Sequence, residues 1–330
     1  MNYNFFILGG DLRNFLLGAK LKSEGNNVRI YGFENIEKIK KDLYKYDMTR
    51  NPIEENNLEE TLKISAIGEN EILIGPTPMN NKDEIYAPYS QEGKIDKKIL
   101  ENLYTKKIKF FGGNIAQRIK EDSNWEAYDF LKDEEFSILN TIPTAEGAIT
   151  LAMQMTNYVI SESNVLVLGY GRVGKTLCMK LKGLNAHVYT MTKKDEDLAW
   201  SEVYGCIPVK PEKIKENICK MDIIFNTIPE KIITKEILML LNRETLIIDV
   251  SSAPGGVDYE AANKMKIKAI LYNQIPGKFA PDARAEYMKR FIYKILEKKW
   301  QKNIIFDKKI TNITITLQSN RTYWLLTKKI

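Results

Sequence analysis

The sequence predicts an α/β protein built from two parallel-sheet domains, Rossmann-like or flavodoxin-like in kind, with a cleft between them. Three observations carry this. Short apolar runs alternate with helix-patterned segments along most of the chain, the signature of βαβ units. One run, Val165-Leu166-Val167-Leu168, feeds directly into Gly169-Tyr170-Gly171-Arg172-Val173-Gly174 and then into a helix-forming segment stopped by Gly183. A related strand–turn–helix, Tyr3 to Leu8 followed by Gly9-Gly10-Asp11, opens the chain. With 330 residues the chain is long enough for two cores. The expected division is a substrate-side domain over 1–140, a nucleotide domain over 141–299 and a tail of unclear role over 300–330.

In the first domain, the opening strand leads into a helix pattern (Leu12, Phe15, Leu16, Ala19) that ends near Gly25, and Val28 to Tyr31 returns as a second strand. This turn imitates a dinucleotide turn, but Asp11 stands where phosphates need a small neutral residue, and its carboxylate repels them. Asp11 is expected to cap the helix with Arg13 in the first turn. Both then lie at the carboxyl edge of the sheet, where open α/β sheets bind ligands. The segment 35–60 is polar and helical in pieces. Glu71 to Ile74 is a strand ending in Gly75-Pro76-Thr77-Pro78, residues 80–93 a loop, Ile95 to Leu103 a helix, Lys107 to Phe111 a strand, and Ile115 to Lys120 the start of a helix. A last short strand is expected over Phe136 to Asn140.

A helix is expected from Pro143 to about Ile160. Its apolar positions (Ile149, Leu151, Ala152, Met153, Met155, Tyr158, Val159) lie on nearly every side, as in a buried helix crossing between domains. Beyond it the strands fall near 164–168, 186–191, 206–209, 222–228, 246–250 and 268–272, and a last helix runs from Asp282 to about Lys299. In the glycine turn, Gly169 allows the tight bend, Gly171 lets backbone approach a diphosphate, and Gly174 lets the helix pack close to the sheet. Tyr170, Arg172 and Val173 complete that turn. The second strand ends Tyr189-Thr190-Met191-Thr192-Lys193-Lys194, with no carboxylate before Asp195 to hold a ribose hydroxyl. Thr190, Thr192, Lys193 and Lys194 therefore suit the 2′-phosphate of NADP(H), with NAD as the alternative. Asn226-Thr227 and Asp249-Val250-Ser251-Ser252 end two further strands near the nicotinamide end, and Lys278 is a candidate anion contact.

Composition excludes several classes. Hydrophobic residues make up 44% and charged residues 28%, as in ordinary soluble proteins. The net charge of +6 is dispersed rather than gathered into a basic stripe, which argues against nucleic acid. No apolar run is long enough for a bilayer, and the chain opens on a strand rather than a signal segment. Cys178, Cys206 and Cys219 have no metal-ligand spacing, and a cytoplasmic location is expected. The single histidine, His187, stands at the start of a strand, so a histidine-based dehydrogenase lacks its base and histidine-rich metal sites are excluded.

Taken together, Gly9-Gly10-Asp11-x-Arg13, Ile142-Pro143-Thr144-Ala145-Glu146-Gly147-Ala148, the glycine turn at 169–174, Asn226-Thr227-Ile228-Pro229, Asp249-Val250-Ser251-Ser252 and Pro276-Gly277-Lys278 resemble the family of dipicolinate synthase A subunits. The likeness runs to about residue 299. More distantly the layout is similar to alanine and D-2-hydroxyacid dehydrogenases. The resemblance implies oxidation of dihydrodipicolinate to pyridine-2,6-dicarboxylate with NADP⁺, in the mother-cell cytoplasm during sporulation. It also implies a partner, the flavoprotein-like B subunit of dipicolinate synthase. Homo-oligomerisation is left open. Arg13, Thr77, Ser251, Ser252 and Lys278 are then the donors available to a cyclic dicarboxylate. Asp11 and Glu146 are the candidate proton acceptors. The alternatives are an amino- or hydroxy-acid dehydrogenase and a subunit that binds NADP(H) without turnover.

Overall fold

The computed structural model describes residues 2–45, 59–60, 71–79, 84–96, 98–101, 106–122, 124–272 and 279–298. It divides into a unit spanning Met1–Tyr287 and a second spanning Met288–Ile330. In the second, residues 288–298 are helical. The first contains both large sheets.

The first sheet is parallel, in the order β3-β2-β1-β4-β7-β8. Its strands are β1 (Asn4–Leu8), β2 (Asn27–Tyr31), β3 (Glu59–Glu60), β4 (Ile72–Ile74), β7 (Ile108–Gly112) and β8 (Trp125–Asp129). The order reverses between β1 and β4, the arrangement of the Rossmann fold rather than of flavodoxins. Helix α1 (Leu12–Ser23) connects β1 to β2, and α2 (Ile36–Tyr44) follows β2. A short helix, α3 (Lys98–Glu101), precedes β7, and α4 (Gln117–Glu121) precedes β8.

Two expectations fail here. The stretch read as a loop over 80–93 contains β5 (Glu84–Tyr86), which pairs antiparallel with β6 (Lys94–Asp96), so the helix expected from Ile95 is reduced to α3. The strand expected over Phe136 to Asn140 is α5 (Glu134–Leu139). The Asp133 side chain accepts from the Phe136 amide at 2.8 Å and two acidic residues fill the first turn, so local capping overrides the β-like composition. The last strand is instead β8, whose Trp125 packs on Phe110 of the neighbouring strand at 5.4 Å between ring centroids.

Helix α6 (Thr141–Met155) leads into the second sheet. It ends before Ile160 because Thr156 leaves helical geometry and turns its hydroxyl back to the Ala152 carbonyl at 2.9 Å. Nor is it buried all round. A stripe of small residues (Ala145, Ala148, Ala152) faces the core, while Met153 is exposed and Val159, beyond the helix, is 72% exposed. The small residues let α6 lie along α7 (Arg172–Gly183), tied by Thr141 Oγ1 to Thr176 Oγ1 at 2.7 Å and Lys180 to Glu146 at 2.6 Å.

The second sheet is also parallel, in the order β11-β10-β9-β12-β13-β14. It comprises β9 (Asn164–Leu168), β10 (His187–Met191), β11 (Ile207–Val209), β12 (Ile223–Asn226), β13 (Leu246–Asp249) and β14 (Lys268–Leu271). Helices α8 (Asp195–Val203), α9 (Ile214–Asn217), α10 (Lys235–Leu238) and α11 (Tyr259–Lys264) fill the connections. The central strands β9, β12 and β13 are apolar on both faces because helices cover both. Val165, Val167, Ile223, Phe225, Leu246 and Ile248 enter the layer shared with α6 and α7, while Leu166, Leu168, Ile224 and Ile247 enter the opposite one. Residues 281–287 form helical turns with Pro281, Arg284 and Ala285 buried. They reach α1, where Lys20 meets Asp282 at 2.9 Å and Glu286 at 3.6 Å.

Candidate functional site

Two strand-to-helix turns with similar sequences have opposite character. At Gly169, φ is +95°, and its amide donates to the Met191 carbonyl at 2.8 Å, joining the tips of β9 and β10. A side chain on Gly174 would place its Cβ 2.0 Å from the Gly169 carbonyl oxygen, so only glycine lets α7 start this close to β9. Gly171, the N-cap of α7, supplies no side-chain cap, and a Cβ there would meet nothing within 4 Å. The first amides of α7 therefore face open space beside the point where the strand order reverses. An uncapped helix N-terminus at this place in an open α/β sheet is where such folds bind anions.

The turn after β1 is closed instead. Asp11 caps α1, accepting from the Arg13 amide at 3.1 Å, and its carboxylate also takes the Arg13 guanidinium through Nε at 2.7 Å and Nη2 at 2.6 Å. The β5–β6 hairpin covers the glycines: the Gly10 amide donates to the Tyr86 carbonyl at 2.7 Å, and a Cβ on Gly9 would sit 3.0 Å from that oxygen. Asp11 caps α1 as the sequence predicts, while the turn is closed by the hairpin rather than by the charge of Asp11, which Arg13 neutralises.

Around the second sheet, the predicted cofactor residues divide into backbone, structural and surface roles. Tyr170 is buried in the core beside Cys178 and Cys206, its phenol pushed up by burial, with Lys175 over its ring at 5.3 Å. Only its backbone belongs to the turn. Val173 packs partly into the same core, and Arg172 is half-exposed with Glu134 at 3.3 Å. Thr227 donates its hydroxyl to the Leu168 carbonyl at 2.8 Å, and Asn226 bonds both the amide and the carbonyl of Ile228. Thr227 straps the end of β12 to β9, Asn226 folds the turn after β12 back on itself, and both side chains are spent on structure. Thr190 is fully buried with an unpartnered hydroxyl. Thr192 accepts from the Lys194 amide at 3.3 Å. Lys193 and Lys194 are exposed, and Lys193 lies 3.8 Å from Glu230, a carboxylate the sequence reading did not place at this tip.

The predicted substrate residues are only partly gathered. Arg13 and Thr77 are buried at the carboxyl ends of adjacent strands β1 and β4, linked through Asn14, whose amide donates to the Gly75 carbonyl at 3.0 Å. The Thr77 hydroxyl has no hydrogen-bond partner among the described residues. Ser251 is buried at the tip of β13 with an unpartnered hydroxyl, whereas Ser252 is exposed. Lys278 lies outside the described residues. The two proposed proton acceptors fare poorly. Glu146 faces α7 and pairs with Lys180, so it belongs to the α6–α7 seam rather than to a strand tip. Both oxygens of Asp11 are committed to Arg13. His187 pairs with Glu162 at 3.3 Å at the amino end of its strand, away from the turns.

Sequence reasoning missed two buried groups, one at a strand tip and one in the helical turns at 281–287. Asp249 is fully buried and accepts from the amides of Ser251 (2.9 Å) and Gly256 (2.7 Å) and from the Tyr259 hydroxyl (2.8 Å). Burial and that hydrogen bond push the Tyr259 phenol well up. The other is Arg284, 3% exposed, whose Nε and Nη1 have no hydrogen-bond partner among the described residues. Burial, then repulsion from Arg13, push its pKa well below the usual guanidinium range, with Asp11 offsetting part of this. The one sequence signal was its position on the apolar stripe with Pro281 and Ala285.

Among the described residues no cluster of His, Cys, Asp and Glu suits a metal ion, and no helix is long and apolar enough to cross a membrane. Two Rossmann-ordered sheets, one with an open glycine turn and one with its turn closed, define a two-domain α/β protein of dehydrogenase architecture. The chain belongs to the alanine dehydrogenase/PNT C-terminal domain family, matched over residues 142–323. Residues 4–127 match the N-terminal domain of the dipicolinate synthase A subunit. The dipicolinate synthase A subunit of Bacillus subtilis (strain 168) is 29% identical over 293 residues, 88% of this chain and 94% of the relative. Two solved structures are similar throughout. That of the dipicolinate synthase A subunit from Bacillus halodurans has a TM-score of 0.74 at 25% identity, covering 89% of this chain and 97% of its own. That of the corresponding dipicolinate synthase chain from Bacillus subtilis has a TM-score of 0.75 at 26% identity, covering 92% and 98%. The resemblance carried by the motifs is thus borne out over both sheets.

Proposed function

We propose that this chain is the oxidoreductase subunit that converts dihydrodipicolinate to pyridine-2,6-dicarboxylate with NADP⁺ during sporulation, in the mother-cell cytoplasm, working with a flavoprotein-like B subunit. The observation that carries the reading is the uncapped α7 terminus at Gly171, placed at the strand-order reversal of the second sheet. There a diphosphate meets backbone amides and no side chain. The likeness to the A subunit of dipicolinate synthase over most of the chain supports the substrate.

NADP⁺ held at the first amides of α7 would supply the acceptor for a hydride from the substrate ring. The protein's own residues bind and orient. Gly169 and Gly174 hold α7 against β9, and Asn226 and Thr227 fix the strand tips. Asp249 shapes the loop that presents Ser251. On the first sheet, Thr77 and the Asp11–Arg13 pair offer donors to the acidic ring. Aromatisation drives proton loss, so a weak base or water suffices, in keeping with the engagement of Asp11 by Arg13 and of Glu146 by Lys180. The fold's task is orientation and exclusion of water.

Incubating the protein with freshly generated dihydrodipicolinate and NADP⁺, with and without the B subunit, tests the proposal. Appearance of both NADPH and the aromatic dicarboxylate's ultraviolet absorption is expected. Its absence in both mixtures, while NADPH binds tightly, favours the non-catalytic binding subunit. NAD⁺ is a second acceptor to compare, because Glu230 beside Lys193 offers a carboxylate to a ribose hydroxyl.

A further inference from the structure

Arg13 is the obvious cation at the first sheet's carboxyl edge, but Asp11 neutralises it through two short contacts. The residue that gives this edge its charge comes from elsewhere in the chain. The helical turns at 281–287 return to α1 through Lys20, Asp282 and Glu286, and their buried stripe of Pro281, Arg284 and Ala285 holds one cation where only apolar residues are expected. Arg284 lies close enough to Arg13 and Asp11 to feel the charge of both. Together the three carry one net positive charge. A buried guanidinium whose Nε and Nη1 have neither ion pair nor hydrogen bond among the described residues is costly, because desolvation is uncompensated. Such a group is rarely retained for stability alone. The Thr77 hydroxyl, also orphaned at this sheet edge, is a second buried donor lacking an acceptor. Unsatisfied donors with net positive charge call for an anion, and the fork of a guanidinium matches a carboxylate in two parallel hydrogen bonds.

We propose that Arg284 is a carboxylate-binding residue, and that it, rather than the neutralised Arg13, supplies the charge that receives one carboxylate of the substrate. Arg13 then acts as a positioning residue, holding Asp11 at the cap of α1 and repelling Arg284 toward the ligand. This rests on the function proposed above only for the identity of the carboxylate. The anion site itself stands on the burial and unsatisfied donors of Arg284.

The test uses the full chain and reads binding rather than turnover. Thermal unfolding and calorimetric titration are followed with pyridine-2,6-dicarboxylate, pyridine-2-carboxylate, malonate and acetate, with uncharged pyridine as control. The wild type is expected to rise in Tm with a carboxylate and not with pyridine. Arg284→Met is expected to weaken that binding by about 10- to 100-fold, the loss of a charge-assisted hydrogen bond. In the ligand-free state it is expected to be at least as stable as wild type, since an unpaired buried charge has been removed. A merely structural arginine gives the reverse, a variant destabilised without ligand and unchanged in affinity, and that result overturns the proposal. Arg284→Lys should retain part of the affinity, and added guanidinium should restore binding to Arg284→Ala. If malonate or acetate binds through Arg284 while pyridine-2,6-dicarboxylate does not, the anion site holds and the substrate assignment falls. If no carboxylate stabilises the wild type, the site itself is refuted.

Discussion

Replacing Gly171 with alanine separates binding from folding at the glycine turn. Gly171 has φ −76° and ψ −164°, a conformation open to any residue, and an added methyl meets no atom within 4 Å. Two small effects on stability oppose each other. Alanine is a poorer N-cap than glycine by about 0.5–1 kcal/mol, while the stiffer unfolded chain returns about 0.4–1 kcal/mol. The net change is near zero, so Tm should move by less than about 2 °C. The open space is also where the diphosphate is expected to rest. Forcing a methyl into a filled contact costs about 1–3 kcal/mol, which is about a 5- to 150-fold loss of NADPH affinity. Gly174→Ala is the contrasting variant: its Cβ would lie 2.0 Å from the oxygen and 2.9 Å from the carbon of the Gly169 carbonyl, so backbone must move and stability falls along with binding. Calorimetric titration with NADPH and a scanning-calorimetry Tm on the same samples read both quantities. A folded Gly171→Ala protein with unchanged affinity removes the diphosphate from this turn and with it the proposed cofactor site.

Three other outcomes follow from the same geometry. Replacing Lys193 and Lys194 with Asp should weaken NADPH more than NADH, by about tenfold or more for each charge-assisted hydrogen bond removed; Glu230→Gln should shift the preference toward NADPH, and parallel changes for both cofactors in titrations remove the 2′-phosphate assignment. Asp249→Asn presents an amide to groups that themselves donate and should destabilise the protein by about 3 kcal/mol or more, against about 1 kcal/mol for Tyr259→Phe; equal midpoints in urea for the two variants contradict this. Glu146→Gln should leave the rate of product formation within about twofold, because a half-exposed pair with Lys180 contributes little; a rate collapse without a change in stability returns Glu146 to the chemistry.

Much of the fold is local and so was legible in the residues. Apolar runs marked every strand of the second sheet, and Gly169 and Gly174 each met a steric demand stated within six residues of sequence. Asp11 announced itself as a cap by its place before Leu12. Where local signals competed, the reading failed. Phe136 to Asn140 looks like a strand until Asp133 is recognised as an N-cap, and the hairpin at Glu84–Tyr86 depends on a partner strand beyond a turn. The all-apolar reading of α6 failed because apolar composition does not say which side meets a neighbour. Met153 and Ala152 are adjacent, yet only Ala152 reaches the core.

What the sequence determined by itself was the class: two parallel sheets, with an aspartate-capped turn in the first and an uncapped glycine turn in the second. Those properties belong to backbone geometry and nearest neighbours. What only the tertiary structure decided was the electrostatics of the site. Glu146 is drawn to Lys180 on the neighbouring helix, and Arg284, which the sequence reading did not single out, is buried with Nε and Nη1 unpartnered among the described residues. The reason is physical. The worth of a charge depends on its distance to other charges and to water, and residues far apart in the chain set both only once it has folded.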